Sequence, residues 1–469
     1  MRVPIVNGIY VDGAPSARVS YPINLTPVVQ PNGINNGYLR PSDGIVSDGT
    51  GPGTDRGGIN WNGVCYRVMG SKLVSVSSTG TVTTLGDVGG TSGLVSFDYS
   101  FDKLSVSSNN DLFYLNDDLT TLTQVTDTDL GDVVDHIFIE GYFMTTDGEF
   151  LIVTELDDPF AVSATKYGSS EFDPDPVKAL LRLRNEAIAL NRYTIEYFDN
   201  IGGTGFPFQR IDGAEVQKGT VGTHACCIYM DAVTFVGGGR NEEPSVYMAV
   251  NGQATKISTR EIDDVLNEYT ETQLSTIKVE ARNDRNSDFL YIHLPDKTLV
   301  FDAMASQALG SSVWHILSSG LGETSQYKAR NFVFCYNQWL VGDPTSSSVG
   351  HLDDTVSTHW GSDISWEFST AFLYNEGNGA IVRDVELVSL TGNAAVGDNP
   401  VVSTSYSLDG RTWTENKTIS SGKTGNRNIQ LKWYKQGSMS LFRSQRFQGN
   451  SDSHTSFIRL EANLEGLSH

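Results

Sequence analysis

From about residue 59 to residue 341 the sequence keeps returning to one unit: two short apolar alternations joined by a small polar turn. Alternation with a period of two puts every second side chain on one face, so each run predicts a strand with one buried side. Lys72-Leu73-Val74-Ser75-Val76 turns at Ser78-Thr79-Gly80 and returns over 82–85, and Leu104-Ser105-Val106 turns at Asn109-Asn110 and returns over 112–115. The unit recurs around Asp147-Gly148, Asn191-Arg192, Asp231, Pro295-Asp296-Lys297 and Asn337. Turn centres at 80, 110, 148, 191, 231, 296 and 337 lie 30, 38, 43, 40, 65 and 41 residues apart, close to the ~40 to 50 residues of a propeller blade. The prediction is an all-β chain with an irregular β-propeller of seven blades, plus or minus one. Radial repetition hides the sheet edges that so many short strands would otherwise expose.

The long interval holds a helix. Ser258-Thr259-Arg260-Glu261 reads as a capping box, and Ile262, Val265, Leu266 and Tyr269 follow at i, i+3, i+4 and i+7, an amphipathic stripe inserted at about 258–275. That stripe has to be covered, by its own propeller or by a neighbouring copy. The proline-punctuated segment 154–177, with Asp157-Asp158-Pro159 and Asp173-Pro174-Asp175-Pro176, has no period and reads as an exposed loop. Beyond about 359 the rhythm changes, and strands expected at 364–372, 382–390, 401–408, 429–434 and 455–462 predict a small β-sandwich. The division is therefore 1–58 as an N-terminal arm with closing strands, 59–358 as propeller, and 359–469 as sandwich.

Composition narrows the function. With 56 Asp plus Glu against 33 Lys plus Arg the net charge is −23, the wrong sign for a chain that coats nucleic acid. No apolar run approaches the ~18 residues of a membrane span, the N-terminus lacks a signal-peptide pattern, and a reducing cytosol is the expected place of folding. Cys65, Cys226, Cys227 and Cys335 form no CxxC pair and read as buried small hydrophobes. The sequons at Asn24 and Asn416 read as chance matches.

No constellation of catalytic, cofactor or metal-binding residues emerges. Asp284-Arg285-Asn286-Ser287-Asp288 opens like a calcium loop, but Phe289 replaces the turn glycine and Pro295 the bidentate glutamate. Gly237-Gly238-Gly239 lacks the Lys-Ser/Thr of a phosphate loop and reads as a flexible blade connection. The eight histidines never take the i, i+4 spacing of a zinc helix, and most read as structural or solvated. Ser407-Leu408-Asp409-Gly410-Arg411-Thr412-Trp413 resembles the Asp-box of sialidase propellers but is one residue short; a tight Asp-Gly turn backed by Trp413 is the plainer reading. Arg182, Arg184 and Arg192 form the notable basic cluster, either a solvated face or a contact for an acidic neighbouring subunit. With Ile262, Val265, Leu266 and Tyr269, they are the candidate assembly residues.

The wording of the middle region then adds to its period. Gly37-Tyr38-Leu39-Arg40, Thr194-Ile195-Glu196-Tyr197-Phe198, Val216-Gln217-Lys218-Gly219 with Gly222-Thr223, Pro244-Ser245-Val246-Tyr247, Gly252-Gln253-Ala254, Ile292-His293-Leu294-Pro295 and Leu299-Val300-Phe301-Asp302 occur in that order. Together they resemble the packaged-DNA stabilisation proteins, or tail hub and nozzle proteins, of short-tailed bacteriophages. The likeness covers residues 37–345, and the C-terminal block matches poorly. It implies a structural, non-enzymatic virion component assembled in the host cytoplasm as a ring, a homo-hexamer. Such a ring would extend the DNA exit channel below the portal and adaptor proteins and dock a needle or plug and tailspikes or fibres. No cofactor and no membrane insertion are implied, and DNA would slide along an acidic wall without specific binding. The hairpin units, repeated around a central axis, are expected to form a passive conduit. The competing reading is a propeller that binds or hydrolyses glycans in a tail fibre, which would place paired carboxylates and exposed aromatic rings in the central cavity.

Overall fold

The alternating runs pair into seven small antiparallel sheets among the described residues of the computed structural model, which are 2–3, 5, 10–11, 18–20, 22–30, 36–116, 118, 121–156, 158–285, 287–394, 396–450 and 453–467. Blades 1 to 6 span residues 55–87, 96–124, 135–169, 177–210, 219–256 and 278–317, and blade 7 spans 330–353. Each expected hairpin lies in a different blade. The uneven spacing arises because the hairpins occupy different places in their sheets. In blade 1 the conspicuous hairpin joins the third and fourth strands, in blades 2, 3, 4 and 6 the second and third, and in blade 7 the first and second. In blade 5 it joins Cys226–Tyr229, which shares the inner edge with the short Gly219–Thr220, to Ala232–Gly238.

The first strands of the blades stand side by side around the axis: Asp55–Trp61, Ser96–Tyr99, Asp135–Ile139, Val177–Leu183, Cys226–Tyr229, Lys278–Asp284 and Arg330–Cys335. Apolar clusters fill the spaces between neighbouring blades, as where Leu104, Val106 and Leu115 of blade 2 meet Tyr66, Val68 and Leu73 of blade 1. The ring closes on a strand from the other end of the chain. Gly44–Thr50 pairs antiparallel with Ser348–Asp353 and supplies the outer strand of blade 7.

Four expectations are corrected. The segment 154–177 is no open loop, because Asp158–Ser169 is the outer strand of blade 3. An outermost strand needs only one hydrogen-bonded partner, so it tolerates Pro159 near its start; Asp157 lies outside the described residues. Gly237 and Gly238 end the strand Ala232–Gly238 instead of forming a flexible link, and a Cβ on Gly237 would lie 1.8 Å from the carbonyl oxygen of Gly219. The helical insertion is two short helices, α1 (Arg260–Leu266) and α2 (Glu271–Leu274), with α3 (Ala303–Leu309) unforeseen. Its capping box forms at Thr270 and Gln273. Ser258 instead hydrogen-bonds Asp263 at 2.7 Å and accepts from the Val246 amide. Lastly, Cys227 is only partly buried, whereas the other three cysteines are buried, and all four are free.

The C-terminal region forms two sheets packed face to face on a core that includes Phe368, Val385, Leu387, Trp433, Phe447 and Phe457. One sheet runs Leu25–Val29, Gly37–Pro41, Phe457–Gly466, Ala380–Ser389, Leu431–Tyr434, with Arg2–Val3 also paired to Phe457–Gly466, so three of its strands come from the N-terminal region. Leu25 and Leu39 are buried in the sandwich core with them. The other sheet runs Trp366–Ser369, Phe442–Gly449, Val401–Ser407, Lys417–Ser420.

Candidate functional site

The apolar stripe is spent on the chain's own core. Ile262, Val265 and Leu266 are buried against Val246, Ile277 and Leu294, while Tyr269 is partly buried with its hydroxyl on Asp296. A partner can therefore reach only the other side of this insertion. The three arginines do not converge either. Arg182 donates to the Phe138 carbonyl and lies 3.7 Å from Asp98, and Arg192 pairs with Glu271 at 2.6 Å over the Tyr193 ring. Arg184 is exposed at a turn with φ of 58° and has no hydrogen-bond or ion-pair partner among the described residues.

The segment that opens like a calcium loop is a tight hairpin in which Asp284 faces Ser287, with Asp284 3.2 Å from Arg282 and 3.4 Å from Arg40; Asn286 lies outside the described residues. The SLDGRTW segment is the plain turn: Asp409 accepts from the amides of Arg411 and Thr412 and from the Thr412 hydroxyl, bonds that hold its carboxyl far below the usual range. Asn24 is buried, which closes that sequon, and of the histidines His136, His293, His315 and His359 are buried. His469 lies outside the described residues.

Two polar clusters that no sequence pattern announced hold the architecture together. At the seam where blade 7 meets blade 1, the wholly buried Arg67 donates to Asp55 at 2.9 Å and to the Asn331 carbonyl at 2.9 Å, and the Asn331 side chain donates to Asp55. At the junction of the two domains, Asn24 donates to the carbonyls of Ser318 and Ser365 at 2.9 and 2.7 Å, and accepts from the Ser318 amide at 2.9 Å. Ile23 exchanges backbone bonds with Glu367 of the sandwich, while the Asn24 amide bonds Ile316 of blade 6. Hydrogen bonding therefore runs without a break from the propeller into the sandwich.

A further buried acid couples blades 3 and 4: Asp135 accepts from the Leu180 amide at 2.8 Å. Burial pushes its carboxyl up to about 6, against the opposing pull of its hydrogen bonds. A carboxyl raised in the fold holds its proton there but not in the unfolded chain, so its stabilising share is complete below the unfolded value and is lost as pH rises toward 6. Relative to Asp135→Asn, the parent is expected to lose stability between pH about 4 and about 6, read as urea midpoints across that range. A constant difference between the two would refute the assignment.

The axis of the propeller opens at one face into a cavity of about 670 Å3, lined by Asp55, Arg56, Arg330 and His224 with a set of Ser and Thr residues. A duplex whose major groove alone is about 12 Å wide cannot thread it. The paired carboxylates and aromatic rings of the glycan reading are not among the cavity's lining residues either. The nearest such grouping lies elsewhere, where Glu323, Glu367, Trp413 and Arg446 line a cleft of about 580 Å3 between propeller and sandwich.

The family described as Bacteriophage P22 Gp10, beta-propeller, matches residues 1–357, and Bacteriophage P22 Gp10, beta-sandwich, matches residues 365–465. The second match extends the likeness into the C-terminal block, where wording alone had shown little. The tail hub protein gp10 of Salmonella phage P22 is 28% identical over 417 residues, covering 85% of each chain. Among solved structures, the Pan2 WD40 domain of Neurospora crassa shares 10% identity at a TM-score of 0.43, covering 66% of this chain and 95% of that one. The RRP9 WD40 repeats give the same identity and TM-score, with 66% and 97% covered. Likenesses that slight carry no argument about function.

Proposed function

The chain belongs to the phage P22 Gp10 family in its propeller and its sandwich alike, and from that premise we propose that it is a structural tail hub of a phage virion. In this reading copies of the chain assemble in the host cytoplasm as a ring of six beneath the portal and adaptor proteins. The ring extends and closes the DNA exit channel, retains the packaged genome, and docks a needle or plug and tailspikes or fibres.

The observation that carries the reading is the coupling of a closed propeller to a sandwich through backbone and side-chain bonds at Ile23 and Asn24. Two domains locked in one orientation make a rigid block, which is what a load-bearing collar requires. Because the axial cavity is too small for duplex DNA, the channel runs between copies, where a chain of net charge −23 presents a wall that repels phosphate. For the contact between copies the proposal keeps Arg184; Arg182, Arg192 and Tyr269 are engaged within the chain, and Ile262, Val265 and Leu266 are enclosed.

The test is native mass spectrometry of the purified chain mixed with its adaptor ring. A discrete complex of six copies per ring is expected, and particles lacking the chain should fill with DNA and then lose it. A chain that stays monomeric beside the adaptor, or particles that keep their genome without it, would remove the hub assignment.

A further inference from the structure

Charge within the axial cavity does not balance, in the opposite sense to the chain as a whole. Asp55 is matched by Arg67 at 2.9 Å, and Glu280 is the acid nearest Lys278, at 3.8 Å. That leaves two lining cations without a carboxylate partner among the described residues. Arg56, 3% exposed, is held only by main-chain oxygens: its Nε bonds Gly93 at 2.8 Å, and one terminal nitrogen bonds Gly70 and Gly89 at 3.0 Å. Arg330 makes no side-chain hydrogen bond or ion pair among the described residues, and its buried Nε has no partner. Both guanidiniums are depressed by loss of solvent, Arg330 against the weaker opposing pull of Glu280 and Asp55, two acids already shared with Lys278 and Arg67. A buried cation without a counter-charge is costly, and proteins keep few of them without a use.

The remainder of the lining suits an oxyanion. Thr91, Ser92 and Thr223 bring hydroxyl-bearing side chains to the same cavity, whereas Ser275 and Thr276 line it with their hydroxyl and amide donors already engaged by carbonyls of the α2 segment, and His224 adds an imidazole that burial keeps neutral. At about 670 Å3 the space falls within the ~300 to 1,000 Å3 of small-molecule sites and exceeds the needs of a bare ion. A phosphate monoester carries about −1.5 to −2 charges at neutral pH, which answers the two unmatched guanidiniums, whereas a carboxylate would answer one.

We propose that the axial cavity is a binding site for a terminal phosphate monoester, held by Arg330 and Arg56 and the hydroxyl-bearing residues around them. The phosphate could belong to a free nucleotide or to the end of a nucleic-acid strand; the middle of a duplex is barred by size.

The full-length chain is titrated calorimetrically with deoxyadenosine 5′-monophosphate, deoxyadenosine, and a single-stranded oligonucleotide with and without a 5′-phosphate. The monophosphate is expected to bind at least about tenfold more tightly than the nucleoside, and Arg330→Met to lose about tenfold or more in affinity. Since the Arg330 side chain makes no hydrogen bond or ion pair among the described residues and feels Glu280 and Asp55 only through space, Arg330→Met should stay folded, as circular dichroism would show, and Arg330→Lys should restore part of the binding. Preference for the phosphorylated oligonucleotide over its hydroxyl twin assigns the site to strand ends; binding of the mononucleotide alone assigns it to free nucleotides. Equal affinity for monophosphate and nucleoside, or parent-like binding by a folded Arg330→Met, overturns the proposal.

Discussion

Asn24→Ala is expected to destabilise the chain by about 4 to 5 kcal/mol, a loss concentrated at the boundary between propeller and sandwich. The substitution deletes three buried hydrogen bonds, two to the carbonyls of Ser318 and Ser365 and one from the Ser318 amide. Each is worth about 1 kcal/mol net, and the groups left behind are buried. Asn24 also sits at φ of 53°, in the left-handed region, where alanine adds about 1 to 2 kcal/mol of strain that asparagine tolerates better. Asn24→Gly separates the two contributions, since it keeps the backbone conformation and loses only the bonds; it should recover about 1 kcal/mol of the deficit. Guanidinium unfolding read by tryptophan fluorescence checks this, with an earlier, broader transition for Asn24→Ala. A midpoint equal to the parent's would show that the junction is held by apolar packing alone.

Arg67→Leu should cost about 3 to 5 kcal/mol, because it strands a buried carboxylate. Asp55 would keep only the Asn331 amide, at the place where the last blade must meet the first. In the parent, burial already holds the Asp55 carboxyl above its usual range despite Arg67, and the variant raises it further. A raised carboxyl binds its proton more tightly folded than unfolded, so the variant's deficit should shrink as pH falls through that raised value. Urea midpoints for parent and variant at neutral and mildly acidic pH test both claims. A deficit that grows toward acid would mean that something other than the stranded Asp55 is responsible.

The propeller was legible because its signal is repeated. Seven hairpins alternate apolar and polar residues whichever place they take in a sheet, so their number survives even where their spacing does not. The insertion was legible too, as Ile262, Val265 and Leu266 repeat at helical spacing. What escaped is carried by residues that repeat nothing. Asn24 lies in a stretch that reads as a glycosylation sequon, and Arg67 and Asp55 lie twelve positions apart with no pattern to join them. Phe442–Gly449 was missed for a different reason: Arg443, Ser444, Gln445 and Arg446 break the apolar alternation, because this strand places polar groups such as the buried Arg443 among hydrogen-bond partners inside the sheet. The axial cations were invisible for want of proximity, since Arg56 and Arg330 are brought together only when the ring closes.

That closure imposes an order on biosynthesis. The strand Gly44–Thr50 waits for Ser348–Asp353, and Leu25–Val29 and Gly37–Pro41 join a sheet that also needs Phe457–Gly466. These strands are made hundreds of residues before their partners, and pairings so distant in sequence form slowly. A product truncated before its final strand would therefore carry unsatisfied edges at both ends. A chain that lacks Phe457–Gly466 is expected to leave both Gly37–Pro41 and Ala380–Ser389 without the strand that lies between them.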